Sequence, residues 1–202
     1  MAKGQGAAAQ KATAGDKREI ILTAALDLFR QYGYRRTSME DIARAAAVAK
    51  GTLYLYFKSK DELFEAICRS LADQIAAGVT AAQSLDLPLE PKLTALMEAK
   101  FGFAYRWVLS SPHAAELIDS SHRLKGDVFE PVTQQFRQAV LQLVREGTAQ
   151  GELDPKAAGL SQEGAVDALI AAAYGAEKAP DEATFKTQLA AIVRLTLRGL
   201  RA

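Results

Sequence analysis

The segment from residue 37 to residue 60 constrains the fold of this chain more than any other part of its sequence. Ser38 precedes Met39-Glu40-Asp41, and a serine followed three residues later by an acidic residue is typical of a capping box at a helix start. Apolar residues then recur at helical spacing over a short stretch, which predicts a short helix with one buried face. Only Ala47-Val48-Ala49 remain for a turn before a second segment begins at Lys50.

The segment after this turn carries a surface that is unusual for a helix in a protein core. Leu53 and Phe57 lie four residues apart and form its expected buried stripe. Thr52, Tyr54 and Tyr56 are left to point away from that stripe. A helix, a turn of three or four residues and a second helix form the helix-turn-helix motif, whose second helix normally lies in the major groove of DNA. The segment therefore predicts a DNA-binding module.

A helix over residues 16–32 completes this module, and Gly33 is the glycine expected just after its end. The charge distribution agrees with the interpretation. Residues 1–60 carry 11 Lys and Arg against 5 Asp and Glu, whereas residues 61–202 carry 14 against 19. Basic charge is thus concentrated in the part expected to meet phosphates. An ordinary solvated basic surface is the alternative explanation.

The rest of the chain is predicted to be helical, because no sustained alternation of β-branched and polar residues occurs. The fold class is therefore all-α: a three-helix DNA-binding domain followed by a helical domain, with about nine helices in total. A break is expected over residues 85–91. The later helices are expected over residues 60–80, 93–109, 112–122, 127–146, 161–174 and 181–200.

Three regions are expected: a disordered tail over residues 1–15, the DNA-binding domain over residues 16–60 and the second domain over residues 61–202. The tail lacks the apolar core of an export signal. No run of 18 apolar residues occurs, so no membrane span is expected. The single Cys68 cannot form an internal disulfide, which suits a reducing cytoplasm. Cys68 is expected to be a core residue, with redox sensing as the alternative.

The sequence resembles the TetR family of one-component transcriptional repressors over about residues 17–68. The matching residues are Phe29, Tyr32-Gly33-Tyr34, Thr37-Ser38, Asp41-Ile42-Ala43, Val48, Lys50-Gly51-Thr52-Leu53-Tyr54, Tyr56-Phe57 and Lys60. One departure is Ala49, where the family usually has a Ser or Thr cap, whose loss costs about 1 kcal/mol. Another is Leu55, which replaces a polar residue of many relatives and is expected to pack on a thymine methyl group.

The resemblance and the basic charge together imply a set of DNA contacts. Lys50 and Lys60 are expected to contact phosphates, and Gly51 is expected to let the helix start approach the DNA backbone closely. Core packing is the alternative for Tyr54 and Tyr56. The expected DNA-binding residues are Arg36, Thr37, Ser38, Lys50, Gly51, Thr52, Tyr54, Tyr56 and Lys60.

The resemblance also implies that a small molecule binds among the middle helices, where aromatic residues are frequent. A filled aromatic core is the alternative. The expected effector pocket consists of Met97, Phe101, Tyr105, Trp107, His122, Phe129 and Phe136. Four polar residues three apart, from His113 to His122, resemble metal ligands. Three-residue steps bring these two histidines to opposite faces of a helix, so no metal site is expected.

The last two helices are implied to pair with a second copy of the chain, because the family builds its dimer there. Their apolar stripes alone are equally compatible with a simple core. The expected dimer interface consists of Val166, Leu169, Ile170, Ala173, Leu189, Ile192, Val193 and Leu197.

These features together indicate a cytoplasmic repressor, a homodimer that a small, largely apolar effector releases from a palindromic double-stranded DNA operator. The alternatives are an activator or ligand-independent regulator of the same family and, less favoured, a helical interaction protein that does not bind DNA. The sequence contains no phosphate loop, dinucleotide fingerprint, helical zinc pair or nucleophile elbow. No enzymatic activity, cofactor or metal is therefore expected.

Overall fold

The computed structural model describes residues 14–123 and 128–201, and within these ranges it contains nine helices and no strand. The predicted all-α class is confirmed. The helices are α1 (Ala14–Tyr32), α2 (Met39–Ala45), α3 (Lys50–Tyr56), α4 (Lys60–Gln83), α5 (Leu89–Met97), α6 (Ala114–Arg123), α7 (Glu130–Ala149), α8 (Gln162–Ala176) and α9 (Glu182–Gly199). Residues 1–13 of the expected tail and the expected helix start at residue 127 lie outside the described residues.

The fifth helix departs from the prediction at both ends. It begins at Leu89, inside the expected break, because Pro91 falls in the first turn, where a helix needs no N–H donor. After Met97 the chain continues through two π-helical segments, Glu98–Gly102 and Tyr105–Leu109. A π-helical turn holds an extra residue and rotates the side chains that follow. The apolar pattern contained no sign of these segments.

Two hydrophobic clusters organise the molecule, and α4 passes through both. The first core is formed by α1, α2, α3 and the first half of α4, with Leu117 of α6. Within it, Phe29 is fully buried, and its ring lies 5.3 Å from the ring of Tyr34 and 5.6 Å from that of Phe64. Burying each such side chain stabilises the fold by about 1.5–3 kcal/mol.

The second core is formed by the second half of α4 with α5, α7, α8 and α9. Phe101, Phe136 and Phe185 are among its largest fully buried side chains. Helix α4 packs against α1, α5, α6 and α7, while α8 packs between α7 and α9. None of the described helices is long and apolar enough to cross a membrane.

Candidate nucleic-acid interface and a neighbouring cavity

Hydrogen bonds define both ends of α2. The Ser38 hydroxyl accepts a hydrogen bond from Asp41 N at 3.2 Å, and the Asp41 carboxylate accepts one from Ser38 N at 3.1 Å, so the predicted capping box is confirmed. Two hydrogen bonds hold the pKa of Asp41 below its usual range. The bond from the Ser38 hydroxyl has the larger effect and the bond from Ser38 N the smaller one. After α2, Val48 N donates to Ala43 O at 3.0 Å and Ala47 adopts a φ of 53°, which is the Schellman ending of a helix.

Helix α3 buries one side and exposes the other. Leu53 is fully buried, as predicted, whereas Leu55 is 85% exposed. Gly51 lies one turn before Leu55, and these two residues form the outer ridge of α3. Tyr54, which is 44% exposed, and the half-buried Thr52 flank that ridge. The side of α3 that faces away from the first core is therefore small and apolar at its centre and polar at its margins.

No contact within the chain requires a glycine at position 51. A Cβ atom added to Gly51 would have no neighbour within 4 Å. Glycine nevertheless costs a helix about 1 kcal/mol relative to alanine. The N-cap residue Ala49 makes no side-chain hydrogen bond, as its sequence predicted. The first turn of α3 is therefore less stable than it would be with an alanine at position 51 and a capping side chain at position 49. The surface of this turn leaves room for another molecule to approach closely.

Several basic side chains of the module are exposed. Lys50 Nζ lies 3.4 Å from the carboxylate of Glu40, an exposed ion pair that joins α2 to α3. Such pairs contribute at most about 1 kcal/mol, so Lys50 can exchange Glu40 for a phosphate. Arg36 is exposed before α2, and Lys58 is exposed between α3 and α4. The prediction omitted Lys58, although its position directly after α3 was a usable signal.

Thr37 and Lys60 do not face outward, contrary to the expectation that they contact phosphates. Thr37 is 4% exposed, and its hydroxyl donates to Gly33 O at 2.8 Å. The Lys60 ammonium donates to Tyr34 O at 2.8 Å and to Thr37 O at 2.9 Å, and it lies 4.5 Å from the centre of the Tyr34 ring. Desolvation at this position lowers the pKa of Lys60. Both side chains therefore hold the loop between α1 and α2 in place.

Two further expected DNA contacts also take part in internal packing. The Ser38 hydroxyl donates to Asp41 Oδ2 at 2.5 Å, although the Ser38 residue itself remains exposed. Tyr56 is partly buried against the first core. Of the two tyrosines of α3, Tyr54 is thus the one directed mainly outward.

A hydrogen-bonded joint connects the DNA-binding module to the start of α6. Arg35 N donates to Glu116 Oε1 at 2.7 Å, and Ser111 Oγ donates to Arg30 O at 2.7 Å. Gly33 has a φ of 87°, and a Cβ atom there would lie 2.5 Å from Glu116 Oε2. Glycine therefore allows both the backbone conformation at the end of α1 and the close approach of α6.

The polar residues spaced three apart along α6 face different neighbours. His113 Nδ1 lies 3.9 Å from Glu116 Oε2 within the joint, and Asp119 pairs with Arg123 at 3.4 Å. His122 borders a cavity on another side of the helix. Among the described residues, no group of three or more His, Cys, Asp or Glu side chains is arranged to hold a metal ion.

A cavity of about 400 Å³ lies between the two cores. This volume falls in the range of small-molecule sites, about 300–1,000 Å³. Its apolar lining comes from α1, α4, α6, α7 and the π-helical region after α5: Leu26, Phe64, Ile67, Leu71, Ile75, Phe101, Phe103, Ala104, Val108, Leu109, Leu117, Ile118, Phe129 and Val132. Its other lining residues are Cys68, Lys100, Ser121, His122, Thr133, Tyr174 and Glu177.

Three of the seven predicted pocket residues line this cavity, namely Phe101, His122 and Phe129. The prediction missed the wall contributed by α1 and α4. Cys68 belongs to that wall, and burial raises the pKa of its thiol to about 12. A thiol with so high a pKa stays protonated, which agrees with a core residue rather than a redox sensor.

The other four predicted pocket residues lie elsewhere. Met97 and Phe136 are buried in the second core. Tyr105 stacks on Phe185 with ring centres 4.5 Å apart, and its hydroxyl donates to a backbone carbonyl at 2.7 Å. Trp107 packs against the first core. Of these four residues, Tyr105 and Trp107 lie in the second π-helical segment, where the side chains are rotated relative to a regular helix.

Four residues, Lys100, Thr133, Tyr174 and Glu177, form a polar cluster in the lining of the cavity. Lys100 Nζ donates to Thr133 Oγ1 at 2.8 Å. Burial raises the pKa of Glu177, and the nearby Lys100 charge offsets this rise only in part. Burial and the neighbouring Glu177 also raise the pKa of Tyr174. Lys100 lies between apolar and aromatic residues of the expected helix over residues 93–109, and the prediction did not use this signal.

The expected dimer stripe on α8 and α9 points mainly into the protomer itself. Ile170 and Ile192 are half-buried. The other six residues belong to the second core and are at most 4% exposed: Val166, Leu169, Ala173, Leu189, Val193 and Leu197. The apolar spacing that suggested a dimer interface therefore belongs to the sides of α8 and α9 that face the core of the same protomer.

An outer face made mainly of small and apolar residues runs along the exposed sides of α8 and α9, beside the charged residues Asp167, Arg194 and Arg198. This outer face consists of Gly164, Ala168, Ala171, Ala172 and Gly175 on α8 with Gln188, Ala191, Ile192, Leu195 and Gly199 on α9. Leu195 is 69% exposed. Added Cβ atoms at Gly175 and Gly199 would have no neighbour within 4 Å. The outer face carries no formal charge, in contrast to most protein surface.

Comparisons with known proteins support the interpretation of the module. The family model "Bacterial regulatory proteins, tetR family" matches residues 21–67. The chain is 26% identical over 140 residues to the Uncharacterized HTH-type transcriptional regulator YhgD of Bacillus subtilis, with 69% of this chain and 73% of that protein covered. It is 30% identical over 147 residues to the HTH-type transcriptional repressor KstR2 of Mycolicibacterium smegmatis, with 69% and 68% covered.

The fold is also found among solved structures. The fatty acid degradation regulator FadR from Bacillus halodurans superimposes with a TM-score of 0.68 at 20% identity, covering 94% of this chain and 99% of that chain. At this level of identity the likeness concerns the fold alone.

Proposed function

The chain belongs to the tetR family of bacterial regulatory proteins and is therefore a DNA-binding transcriptional regulator, and from this premise we propose that it acts as a homodimeric repressor. In this proposal the dimer binds a palindromic operator and leaves it when a small apolar molecule fills the cavity. The Mycolicibacterium smegmatis relative aligned over 147 residues is named a transcriptional repressor, which supports repression. Relatives named as transcriptional regulators also support the absence of enzymatic activity.

The outer ridge of α3 is the observation that carries the DNA-binding part of the proposal. An α-helix fits the major groove, where thymine presents a methyl group. Leu55 projects its side chain from the ridge with 85% of it exposed. Gly51 leaves room beside it and has no packing role within the chain. Both features suit a helix surface that is covered by DNA in the bound state.

We distinguish residues proposed to contact DNA directly from residues proposed to position them. Thr37 and Lys60 shape the loop before α2, and Tyr56 packs α3 on the first core. We assign them to positioning. The proposed direct contacts are Arg36, Ser38, Lys50, Gly51, Thr52, Tyr54, Leu55 and Lys58.

The proposal divides the chain into a DNA-binding domain over residues 16–60 and an effector-binding and dimerisation domain over residues 61–202. Helix α4 begins at Lys60, which supports this division. Its buried residues up to Leu71 nevertheless complete the first core. Helix α4 therefore belongs structurally to both domains and connects them.

The outer face of α8 and α9 is the proposed dimer interface, in place of the buried stripe. One short helix contacts too few base pairs for specificity, whereas a two-fold dimer contacts both halves of a palindrome. Small residues on α8 would allow the helices of two protomers to approach closely. The exposed Leu195 and half-buried Ile192 would supply apolar area at such a contact.

The cavity is the proposed effector site because α6 contributes both to the cavity lining and to the hydrogen-bonded joint with the DNA-binding module. Leu117 and Ile118 line the cavity, while Glu116 of the same helix holds Arg35 N. A ligand that binds better to a shifted position of α6 would favour a dimer with misplaced α3 helices.

Replacing Leu55 by alanine is expected to weaken binding to the preferred DNA sequence roughly tenfold or more, since each half-site loses about 1 kcal/mol.

Lys50→Met is expected to weaken binding to every sequence and to lower the salt dependence by about one phosphate contact per protomer. Fluorescence anisotropy, with the sequence that the wild-type chain selects from a random DNA library and a scrambled duplex, measures both effects.

The matched control for the leucine change is Leu87→Ala, because Leu87 is also an exposed leucine but lies outside the DNA-binding module. It is expected to leave both affinities unchanged. Equal binding of the wild-type chain to the selected and scrambled duplexes would contradict the proposed function. Unchanged specific affinity of the Leu55→Ala variant would remove Leu55 from the interface.

A further inference from the structure

The loop that joins α1 to α2, residues 33–38, is held from two sides. From one side, the Lys60 ammonium at the start of α4 donates to two of its carbonyl oxygens, at 2.8 Å and 2.9 Å. From the other side, Glu116 of α6 accepts a hydrogen bond from Arg35 N at 2.7 Å. Backbone groups of a loop lack the partners that a helix provides, so such bonds define its conformation. One of the two supports therefore comes from the second domain.

The contact between Glu116 and the α1–α2 loop is close and partly shielded from water. Hydrogen bonds from a backbone N–H to a carboxylate are about twice as strong as those between neutral groups. The Glu116 side chain is only 24% exposed. Gly33 leaves the space that the carboxylate occupies, because a Cβ atom there would lie 2.5 Å from Glu116 Oε2. The residues at positions 33 and 116 are thus matched to this contact.

The α1–α2 loop carries two of the proposed DNA contacts. Arg36 directly follows the amide that Glu116 binds, and Ser38 is the N-cap of α2. A shift of the loop would displace both residues. Lys58 is held independently, because its N–H donates to Glu62 of α4 at 2.8 Å. Holding a binding loop in its bound conformation raises affinity, since less conformational freedom is lost on binding.

A second acidic residue of α6 makes a different kind of contact with the same loop. Asp119 lies one turn after Glu116, and its carboxylate is 4.0 Å from the Arg35 guanidinium. The two side chains are 60% and 71% exposed. Exposed ion pairs of this kind contribute little to stability. Asp119 therefore shares the charge and the helix of Glu116 but does not hold the loop backbone.

We propose that Glu116 is a positioning residue for DNA binding. Its carboxylate holds Arg35 N so that Arg36 and Ser38 meet the phosphates of the operator. The inference rests on the proposed DNA contacts of these two residues. It adds that the second domain raises the DNA affinity of the module in the absence of any effector, and it names the hydrogen bond through which this happens.

The first test is fluorescence anisotropy of the full chain with the DNA sequence that the wild-type chain selects. Glu116→Met keeps the side-chain length and removes the acceptor, whereas Glu116→Gln keeps an oxygen at the same position. Glu116→Ala is a second removal variant without a side chain to accommodate, and Asp119→Ala is the matched control. Circular dichroism at the temperature of the binding measurement establishes that each variant is folded.

Losing the acceptor in both protomers is expected to weaken operator binding roughly tenfold or more in Glu116→Met and Glu116→Ala. Glu116→Gln is expected to stay within about threefold of the wild-type affinity, because a neutral oxygen still accepts the hydrogen bond. Asp119→Ala is expected to bind as the wild-type chain does.

A double-mutant cycle separates positioning from a general contribution to stability. In an Arg36→Met background, Glu116→Met is expected to have a smaller effect on operator affinity, since the contact that it misplaces is already lost. In a Lys58→Met background it is expected to keep its full effect, because Lys58 lies outside the loop. A purely stabilising role of Glu116 would give the same effect in both backgrounds.

Three results would overturn the inference and leave the proposed function intact: wild-type affinity of Glu116→Met, equal weakening by Glu116→Met and Glu116→Gln, or equal effects of Glu116→Met in the two backgrounds. Failure of the wild-type chain to prefer the selected DNA over a scrambled duplex would instead contradict the proposed function itself.

Discussion

Leu195→Glu is expected to convert the proposed dimer into a monomer and to remove nearly all operator binding. Leu195 is 69% exposed in the protomer and lies in an outer face without formal charge. Two-fold symmetry would bring two such glutamates into one apolar interface, where desolvation costs several kcal/mol for each charge. Light scattering coupled to size-exclusion chromatography measures the mass, and anisotropy with the selected operator measures the affinity.

The control for this substitution is Leu85→Glu. Leu85 is also an exposed leucine, but it lies after α4 and outside the outer face. The Leu85→Glu variant is expected to remain dimeric and to bind the operator with the affinity of the wild-type chain. A Leu195→Glu chain that stays dimeric at micromolar concentration would show that the outer face of α8 and α9 is not the interface.

Gly33→Ala is expected to lower the free energy of unfolding by about 2–4 kcal/mol, the sum of two causes. The φ of 87° at Gly33 is unfavourable for any residue with a Cβ atom. That atom would also lie 2.5 Å from Glu116 Oε2 and 3.2 Å from His113 Nδ1. Glu116 must then move, and Arg35 N loses its acceptor. Urea denaturation followed by circular dichroism measures the change.

Gly159→Ala isolates the first cause, the backbone strain. Gly159 has a similar φ of 72°, but a Cβ atom there would have no neighbour within 4 Å. This variant is expected to lose only about 1–2 kcal/mol from backbone strain. Equal losses in the two variants would mean that the contact between α1 and α6 contributes nothing to stability, which would contradict the structural role of the joint.

The DNA-binding module was predictable from the sequence because its signals act over a few residues. The capping box of Ser38, the spacing of Leu53 and Phe57 and the uncapped Ala49 each involve neighbours within one helical turn. The inward roles of Thr37 and Lys60 were not predictable in this way. They depend on how the loop after α1 folds back on α4, which sequence spacing does not specify.

The last two helices show a different limit. Hydrophobic periodicity identified the stripe of Leu169 and Leu189 correctly but could not distinguish a core from an interface. The decisive quantity is whether another part of the same chain covers the stripe, and α8 and α9 cover each other. The outer face of the two helices was marked by a weaker pattern, in which the exposed Leu195 lies beside small residues.

The limit of prediction from sequence is clearest at the cavity, because the cavity lining comes from six regions of the chain. Aromatic content alone selected Tyr105 and Phe136, which fill the second core, and overlooked Lys100 and Tyr174. The two π-helical segments rotate the side chains of this region. The sequence analysis found no local motif that marks their position.

The most direct test of the central claim, that a dimer binds specific DNA through α3, is selection by the full chain from a random double-stranded DNA library, followed by sequencing. The predicted result is an inverted repeat in which both half-sites are enriched. Repeating the selection with Leu55→Ala should relax the preference at one matching position in each half-site. Recovery of no enriched sequence, or of a single site without two-fold symmetry, would contradict the claim.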